Sequence, residues 1–230
     1  MRHDTLLFDL DGTLADTDAL HFEAFQLILA PLGIAMERGD YVARILGRTN
    51  EAIMRDLMPG AGAAERARVA EGKEACFRAL ATRIEPVPGL AALLAWGARN
   101  ALRTAVVTNA PRANAEQMLA GLGLSARFDV VVIGDELACG KPDPLPYATA
   151  LGLLGAEPGR AVAFEDSRSG IAAARAGAPG PRGGGRGRPS QRAAGRRSRV
   201  VRAVRLRAGV AARLRHARRG ARSPAGPCPR

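Results

Sequence analysis

Four short apolar segments, each followed by polar side chains, constrain the fold of this chain more than any other feature. Continuous apolar runs of this length are typical of strands that are buried on both faces. Helical stretches separate the runs, and this alternation favours a parallel sheet with helices on both sides. The predicted strands are residues 5–10, 104–107, 130–134 and 161–165.

The segment between the first two strands is predicted to be a helical insertion. Residues 14–85 show helical patterns and no convincing strand. The segment is much longer than a single crossover between two parallel strands needs. We therefore expect an α/β core from residues 1–13 and 86–178, and a helical cap from residues 14–85. Closure of such a cap would exclude water and select the substrate. Helices are expected within the cap at residues 17–32, 40–46, 50–57 and 63–84.

The first predicted strand ends in two aspartates that share one face. Side chains alternate along a strand, so Asp9 and Asp11 point the same way while Leu10 packs on the other side. Two carboxylates at the end of a buried strand are costly unless a cation or a reaction uses them. Gly12 and Thr13 let the chain turn and offer backbone N–H groups to an anion. The structural alternative is a surface turn after an edge strand.

Polar groups also follow the later strands. Thr108 and Asn109 end the second strand, although they could simply cap the helix that begins near residue 111. Lys141 is one of two lysines among 34 basic residues, so its presence hints at a need for a compact ammonium group. Glu165 and Asp166 end the fourth strand, where carboxylates can complete the oxygen shell of Mg²⁺. A helix-capping role for Asp166 is the alternative.

These motifs together resemble those of the haloacid dehalogenase (HAD) superfamily. Asp-x-Asp-Gly-Thr at residues 9–13, Thr-Asn at 108–109, Gly-Lys-Pro-Asp-Pro at 140–144 and Glu-Asp at 165–166 occur in the family's order and at compatible spacing. The Glu-Asp form is similar to the β-phosphoglucomutase-like and phosphoglycolate phosphatase-like branch. Most members of the superfamily are Mg²⁺-dependent phosphatases that act through an aspartyl-phosphate, so the resemblance implies this activity and a Rossmann-like core with a helical cap.

The resemblance also implies roles for individual residues. Asp9 would be the nucleophile and Asp11 the general acid and base, which separates this chain from true haloacid dehalogenases. Thr108 and Lys141 would stabilise the phosphoryl oxygens. The implied Mg²⁺ ligands are Asp9, the Asp11 backbone carbonyl, Asp166 and Glu165.

Four further residues are candidate substrate contacts. The backbone N–H of Asn109 is expected to bind a phosphoryl oxygen. His21 lies where β-phosphoglucomutase-like proteins use a histidine near the hinge, and is equally an ordinary helix histidine. Arg48 lies within Gly47-Arg48-Thr49, which resembles the family's substrate-facing cap loop, and is equally a solvated arginine. Lys73 matches a cap lysine that can reach the active site.

The resulting functional prediction is a phosphatase for a small phosphomonoester of sugar phosphate or phosphoglycolate type. The first alternative is a β-phosphoglucomutase-like phosphotransferase. The second is a catalytically impaired chain with a basic nucleic-acid-binding tail. The expected partner is a small phosphorylated metabolite. We expect no membrane association, and binding of nucleic acid only through the tail. The chain is expected to be a monomer or a homodimer.

The last 52 residues do not fit the rest of the chain. Residues 1–166 hold 16 basic and 22 acidic residues, a net charge of −6, whereas residues 167–230 hold 18 arginines and no acid. The resemblance stops after residue 178, where an Arg, Gly, Ala and Pro-rich sequence begins. We predict that residues 179–230 are disordered or a frame-shifted reading of GC-rich DNA. The rival is a genuine basic tail that binds phosphate backbones, including a basic amphipathic helix across residues 200–214.

The protein is expected to reside in the cytoplasm. No apolar run approaches the ~20 residues that a membrane span needs, and the chain opens directly into its first strand, without a signal peptide. Cys76, Cys139 and Cys228 form no Cys-x-x-Cys pair and suit a reducing compartment.

Overall fold

The computed structural model describes residues 3–46, 48–176 and 202–206. Five strands form one sheet in the order β3-β2-β1-β4-β5. The first four strands pair in parallel, and β5 runs antiparallel to β4. This arrangement confirms the predicted α/β fold with a Rossmann-like parallel sheet. The strands are β1 (Thr5–Phe8), β2 (Arg103–Thr108), β3 (Val130–Ile133), β4 (Ala161–Glu165) and β5 (Arg202–Arg205).

The register of the three central strands aligns their carboxyl ends. Phe8 of β1 pairs with Val106 of β2 and with Phe164 of β4. Asp9 and Glu165, which follow directly, therefore emerge at one edge of the sheet. Ligands in open parallel sheets bind at this edge, outside the carboxyl ends of the strands.

Helices cover both faces of the sheet, and alternating strand residues supply two apolar layers. Leu6 and Phe8 pack on one face, in a cluster with α5 and α6. Leu7 faces the other way and packs in a second cluster, with α7 and α8. This alternation follows from the two-residue period of a strand. The helices are α5 (Leu90–Arg99), α6 (Arg112–Gly121), α7 (Leu145–Leu154) and α8 (Arg168–Ala176).

Residues 14–85, here called the cap segment, are helical and have an apolar cluster of their own. Gly33 ends the first helical stretch with a φ of 70°, directly after the predicted last helical residue, 32. The fourth helix ends at Leu80, a turn earlier than expected. The bounds of the cap as a separate domain stay a prediction. The elements are α1 (Asp18–Leu29), a 3₁₀ turn (Ala30–Leu32), α2 (Arg38–Asp40), a π-helical stretch (Tyr41–Ile45), α3 (Asn50–Leu57) and α4 (Ala63–Leu80).

The two connections between the cap segment and the core run side by side. Ala15 and Pro86 form an isolated antiparallel bridge, and the Val87 N–H donates to the Leu14 carbonyl at 2.9 Å. The outgoing and returning segments are therefore joined next to Asp11, which forms a bridge to Ala15.

Strand β5 lies in the part of the chain that sequence reasoning left without structure. Val204 and Leu206 are buried and pack in the cluster beneath α8. The alternative of an amphipathic helix across residues 200–214 is therefore wrong at residues 202–205, which form a strand. Residues 177–201 and 207–230 lie outside the described residues. For them, disorder and a frame-shifted reading stay predictions.

Within the described residues, no helix has both the length and the apolar character needed to cross a membrane. Cys76 is a free thiol.

Candidate active site

A cavity of about 130 Å³ lies between the carboxyl edge of the sheet and the cap segment. Almost all the predicted site residues meet there, although they come from distant parts of the sequence. The exception is Glu165, which is fully buried beneath the cavity rather than on its wall. The predicted residues on the wall are Asp9, Asp11, His21, Arg48, Lys73, Thr108, Asn109, Lys141 and Asp166.

Lys141 joins the ends of β1 and β4. Its Nζ donates to Asp9 Oδ1 at 2.7 Å and to Glu165 Oε1 at 2.5 Å. All three side chains are buried, with exposed fractions of 3%, 11% and 0% respectively. A buried ammonium between two carboxylates is strongly anchored, because each charge would be costly without its partners. The two carboxylates raise the pKa of Lys141 above its ordinary value, despite the opposing effect of burial.

Glu165 is held by more than Lys141. Its Oε1 also accepts a hydrogen bond from the Tyr147 hydroxyl at 2.5 Å, and its Oε2 accepts one from the Ser167 hydroxyl at 3.1 Å. Gly170 leaves room for this carboxylate, since a Cβ atom there would lie 2.0 Å from the carboxyl group. Glu165 therefore acts in this arrangement as the support of Lys141.

Asn109 fixes the backbone around Lys141. Its Nδ2 donates to the Lys141 carbonyl at 3.0 Å, and its Oδ1 accepts from the Lys141 N–H at 2.9 Å. Gly140 permits this close approach, because a Cβ there would lie 2.8 Å from Asn109 Oδ1. The Asn109 side chain thus positions the lysine loop, a role that sequence reasoning did not assign to it. Thr108 lies beside it, and its Oγ1 accepts from the Ala110 N–H at 2.9 Å, which leaves its O–H able to donate into the cavity.

The acidic groups fit a divalent cation. Asp9, Glu165 and Asp166 each offer a carboxylate oxygen, and these three oxygens lie within 4.8 Å of one another. Burial raises the pKa of Asp9 well above its ordinary value; Lys141 opposes this, and the charges of Glu165 and Asp166 add to it. Three carboxylates beside one ammonium leave an excess of negative charge. Such oxygen donors are those that Mg²⁺ prefers.

Asp11 is turned towards the cap segment. Its Oδ1 accepts from the Thr17 hydroxyl at 2.7 Å and lies 3.1 Å from His21 Nε2. Burial raises the pKa of Asp11, but the hydrogen bonds from His21 and Thr17 and the charge of Lys73 outweigh it. The net effect lowers the pKa to about 2. Asp11 is therefore ionised at neutral pH in this arrangement.

The cap contributes a second buried lysine. Lys73 Nζ lies 3.0 Å from His21 Nδ1 and 4.9 Å from the centroid of the Phe25 ring. The His21 ring stacks on Phe77 with the ring centroids 3.9 Å apart. His21 and Lys73 therefore reach the site from the cap. His21 contacts Asp11 directly, and Lys73 contacts it through His21.

Arg48 reaches the cavity wall, but its guanidinium group is engaged within the cap. It donates to the carbonyls of Arg44 and Ala52 at 2.9 and 3.2 Å, and it forms an ion pair with Asp56 at 2.7 Å. A direct contact between Arg48 and a substrate stays a prediction.

Sequence reasoning missed several polar residues that hold this site together. Thr17 and Tyr147 belong to helical stretches, so their types and spacing suggested packing or capping. Glu74 and Asn114 lie on different predicted helices, and nothing in the sequence indicates that they meet. The acid directly after the candidate Lys73 was the one signal available in the sequence, because an acid can neutralise a neighbouring buried lysine.

Comparison with known proteins agrees with this geometry. The family model for haloacid dehalogenase-like hydrolases matches residues 3–177. The chain is 33% identical over 177 residues to a phosphorylated carbohydrates phosphatase of Thermotoga maritima, covering 75% of this chain and 80% of the relative. It is 38% identical over 175 residues to a phosphoglycolate phosphatase of Cupriavidus necator, covering 74% and 76%.

Among solved structures, the chain is similar to CbbY from Rhodobacter sphaeroides in complex with xylulose 1,5-bisphosphate. The TM-score is 0.68 at 32% identity, over 74% of this chain and 81% of that one. The family model covers the core and the cap segment together. The chain therefore belongs to the haloacid dehalogenase-like hydrolase family.

Proposed function

We propose that this phosphoric monoester hydrolase cleaves a small phosphorylated metabolite through an aspartyl-phosphate formed on Asp9. The observation that carries the proposal is the position of Lys141, which donates to Asp9 and Glu165 together at the carboxyl edge of the sheet. An ammonium at that place neutralises the nucleophile and remains close to the oxygens of an incoming phosphate.

Asp9 attacks the phosphorus in line with the leaving alcohol, which divides one difficult step into two easier ones. The O–H of Thr108, the N–H of Asn109 and the ammonium of Lys141 stabilise the equatorial oxygens. Asp11 protonates the leaving oxygen and then takes a proton from the water that hydrolyses the intermediate. Its low pKa in this arrangement requires that the entering phosphate raise it, and the negative charge of a phosphate acts in that direction.

The family and the acidic cluster both point to Mg²⁺ as the cofactor. Asp9, Asp166 and Glu165 would hold it, together with the backbone carbonyl of Asp11. When bound, the ion would neutralise charge and allow an anionic nucleophile to approach an anionic phosphate. Glu165 already supports Lys141, so we expect its contribution to the metal to be smaller than that of Asp166.

The substrate class follows from the walls of the cavity. Polar groups from the sheet edge and the apolar side chains of Phe25, Ile45 and Ile53 together line a cavity of about 130 Å³. Such a space suits a small phosphomonoester, of the sugar phosphate or phosphoglycolate type that the relatives' names describe. A cytoplasmic location and a monomeric or homodimeric state remain part of this proposal.

The contacts between Lys73, His21 and Asp11 favour one second candidate, a β-phosphoglucomutase-like phosphotransferase. In that reaction the aspartyl-phosphate passes its phosphoryl group to a sugar phosphate rather than to water. A residue that restrains Asp11 from the cap would help to keep water from reacting first. A nucleic-acid-binding role of the tail gains no support from residues 202–206, the part of it that the structure describes.

The test is a product assay on the purified full chain. We would supply Mg²⁺ with p-nitrophenyl phosphate, fructose 1-phosphate, β-glucose 1-phosphate and phosphoglycolate, and measure free phosphate and isomerised sugar phosphate, with Asp9→Asn as the blank. Free phosphate that disappears in the variant supports the phosphatase. Isomerised sugar phosphate without free phosphate supports the mutase, and neither product from folded protein contradicts both.

A further inference from the structure

Glu74 is a buried carboxylate that neither the motifs nor the proposed reaction uses. It lies on α4 with a relative exposure of 6%. Its Oε1 accepts from Lys73 Nζ at 2.9 Å and from Asn50 Nδ2 at 2.7 Å. Burial raises the pKa of Glu74, but the charge of Lys73 and these two hydrogen bonds bring it below its ordinary value.

The other oxygen of Glu74 contacts the core. Asn114 Nδ2, on α6, donates to Glu74 Oε2 at 2.6 Å. Asn114 is also buried, with a relative exposure of 1%, and its Oδ1 accepts from Arg78 Nη1 of α4 at 2.8 Å. The amide of Asn114 therefore uses both ends to bind α4. Buried polar groups of this kind hold a defined geometry, because losing one partner leaves a costly unsatisfied group.

The same carboxylate connects to the proposed acid and base through two residues. An ammonium can only donate, so Lys73 donates to Nδ1 of His21. The remaining ring proton is then on Nε2, which faces Asp11 Oδ1 at 3.1 Å. The tautomer of His21, and with it the hydrogen bond to Asp11, depends on where Lys73 is held.

We propose that Glu74 is a positioning residue. Through Glu74, the hydrogen bond that Asp11 accepts from His21 depends on contact between the cap segment and the core. When α4 lies on α6, Asn114 fixes Glu74, Glu74 fixes Lys73, and Lys73 sets the proton of His21 that faces Asp11. When α4 leaves α6, Glu74 loses its core partner and Lys73 is no longer held against His21. The role of Asp11 as acid and base in this inference rests on the proposed function. The contacts from Asn114 to Asp11 do not.

The test uses Asn114→Ala, with Glu74→Gln as a milder second variant that keeps one acceptor oxygen. Gln117→Ala is the matched control: Gln117 Nε2 binds α4 at the Arg78 and Ala81 carbonyls, at 2.8 and 3.3 Å, without touching Glu74. All three variants weaken the same helix pair, so a difference between them isolates the Glu74 contacts.

Two substrates distinguish positioning from general weakening. Nitrophenolate leaves as a stable anion and needs little help from an acid, whereas the alkoxide of a sugar needs a proton. In Asn114→Ala and Glu74→Gln, kcat/KM for fructose 1-phosphate should fall on the order of tenfold further than kcat/KM for p-nitrophenyl phosphate. Gln117→Ala should change both substrates by the same factor.

A second readout does not require activity. The chain has three histidines, so the ring nitrogen NMR signals of His21 can be assigned with a His21→Phe variant. These signals should move in Asn114→Ala and in Glu74→Gln, and stay in place in Gln117→Ala.

The outcomes separate this inference from the proposed function. Unchanged His21 signals in both test variants overturn the inference whatever the activity. Equal losses of kcat/KM for the two substrates also overturn it, because Glu74 would then only hold the fold. If the unmodified chain releases phosphate from neither substrate, the proposed function fails, and the His21 signals alone decide whether Glu74 is coupled to the ring.

Discussion

Lys141 and Asp9 are separated by 132 positions in the sequence, yet Lys141 Nζ lies 2.7 Å from Asp9 Oδ1. We expect Lys141→Met to lower phosphate release by about 10²–10³-fold, because the ammonium that stabilises the nucleophile and the phosphoryl oxygens is lost. Lys141→Arg should not restore activity, since a planar guanidinium does not replace a compact ammonium here. Steady-state kinetics measure the loss, with the exposed Arg99→Met as the control. Unchanged kcat in Lys141→Met would contradict the assigned role.

Thr17 should contribute a pH-dependent part of stability. Asp11 has a pKa of about 2 in the folded chain, below its ordinary value. A lowered pKa stabilises the folded state above the ordinary value of 3.8, and this contribution is lost as the pH falls towards 2. Thr17→Val should therefore cost about 2 kcal/mol at pH 7 and less at pH 3. Urea unfolding at several pH values tests this, with the exposed Thr82→Val as the control, and an equal cost at both pH values would be evidence against it.

Gly170 should not tolerate a methyl group. A Cβ there would lie 2.0 Å from the Glu165 carboxyl group, so Gly170→Ala must displace the support of Lys141. We expect a loss of stability of about 1–3 kcal/mol, together with a loss of activity. Gly152→Ala is the matched control, because nothing lies within 4 Å of its Cβ position and alanine should stabilise α7 by up to about 1 kcal/mol. Thermal unfolding and kinetics on both variants decide the matter, and equal behaviour would refute the packing argument.

The metal site makes a prediction about binding as well as activity. A chelator should abolish phosphate release, and Mg²⁺ should restore it. Mg²⁺ should also raise the melting temperature of the unmodified chain, because a ligand that binds the folded state stabilises it. Asp166→Asn should need at least about tenfold more Mg²⁺ for the same shift, since a neutral amide replaces a carboxylate ligand. A melting temperature that does not respond to Mg²⁺ would argue against a metal at this cluster.

Strand β5 should be required for stability. Leu206 is buried with a relative exposure of 2% and packs beneath α8, so Leu206→Ala should cost about 2–4 kcal/mol. Ala203, on the same strand, is exposed, and Ala203→Ser should have little effect. Chemical unfolding of both variants provides the measurement. A neutral Leu206→Ala would mean that residues 202–206 do not pack on the sheet in solution.

The parts of the fold that the sequence predicted are those with strong local signals. The four parallel strands are continuous apolar runs, and each ends within two residues of its expected position. Strand β5 has no such run. It lies among arginines and buries Val204 and Leu206 only through its pairing with β4, a contact that no local pattern indicates.

The same distinction applies to the site. Asp9 and Lys141 were predictable because each belongs to a recognisable motif, the first directly after β1 and the second in the loop before α7. The support of Lys141 by Glu165 and Tyr147 was not, because it depends on a hydrogen bond between Tyr147 of α7 and Glu165 at the end of β4. Glu74 and Asn114 meet only when α4 lies on α6, so their contact depends on the arrangement of two segments that are separate in the sequence.

The most direct test of the account is to trap the intermediate on Asp9. The full chain is mixed with Mg²⁺ and a substrate that the product assay has identified, quenched in acid within one turnover, digested and examined by mass spectrometry. We predict that the peptide containing Asp9 gains the mass of one phosphoryl group, and that Asp9→Asn shows no such gain. Phosphate release without any phosphorylated Asp9 peptide, or undiminished release by Asp9→Asn, would contradict the account.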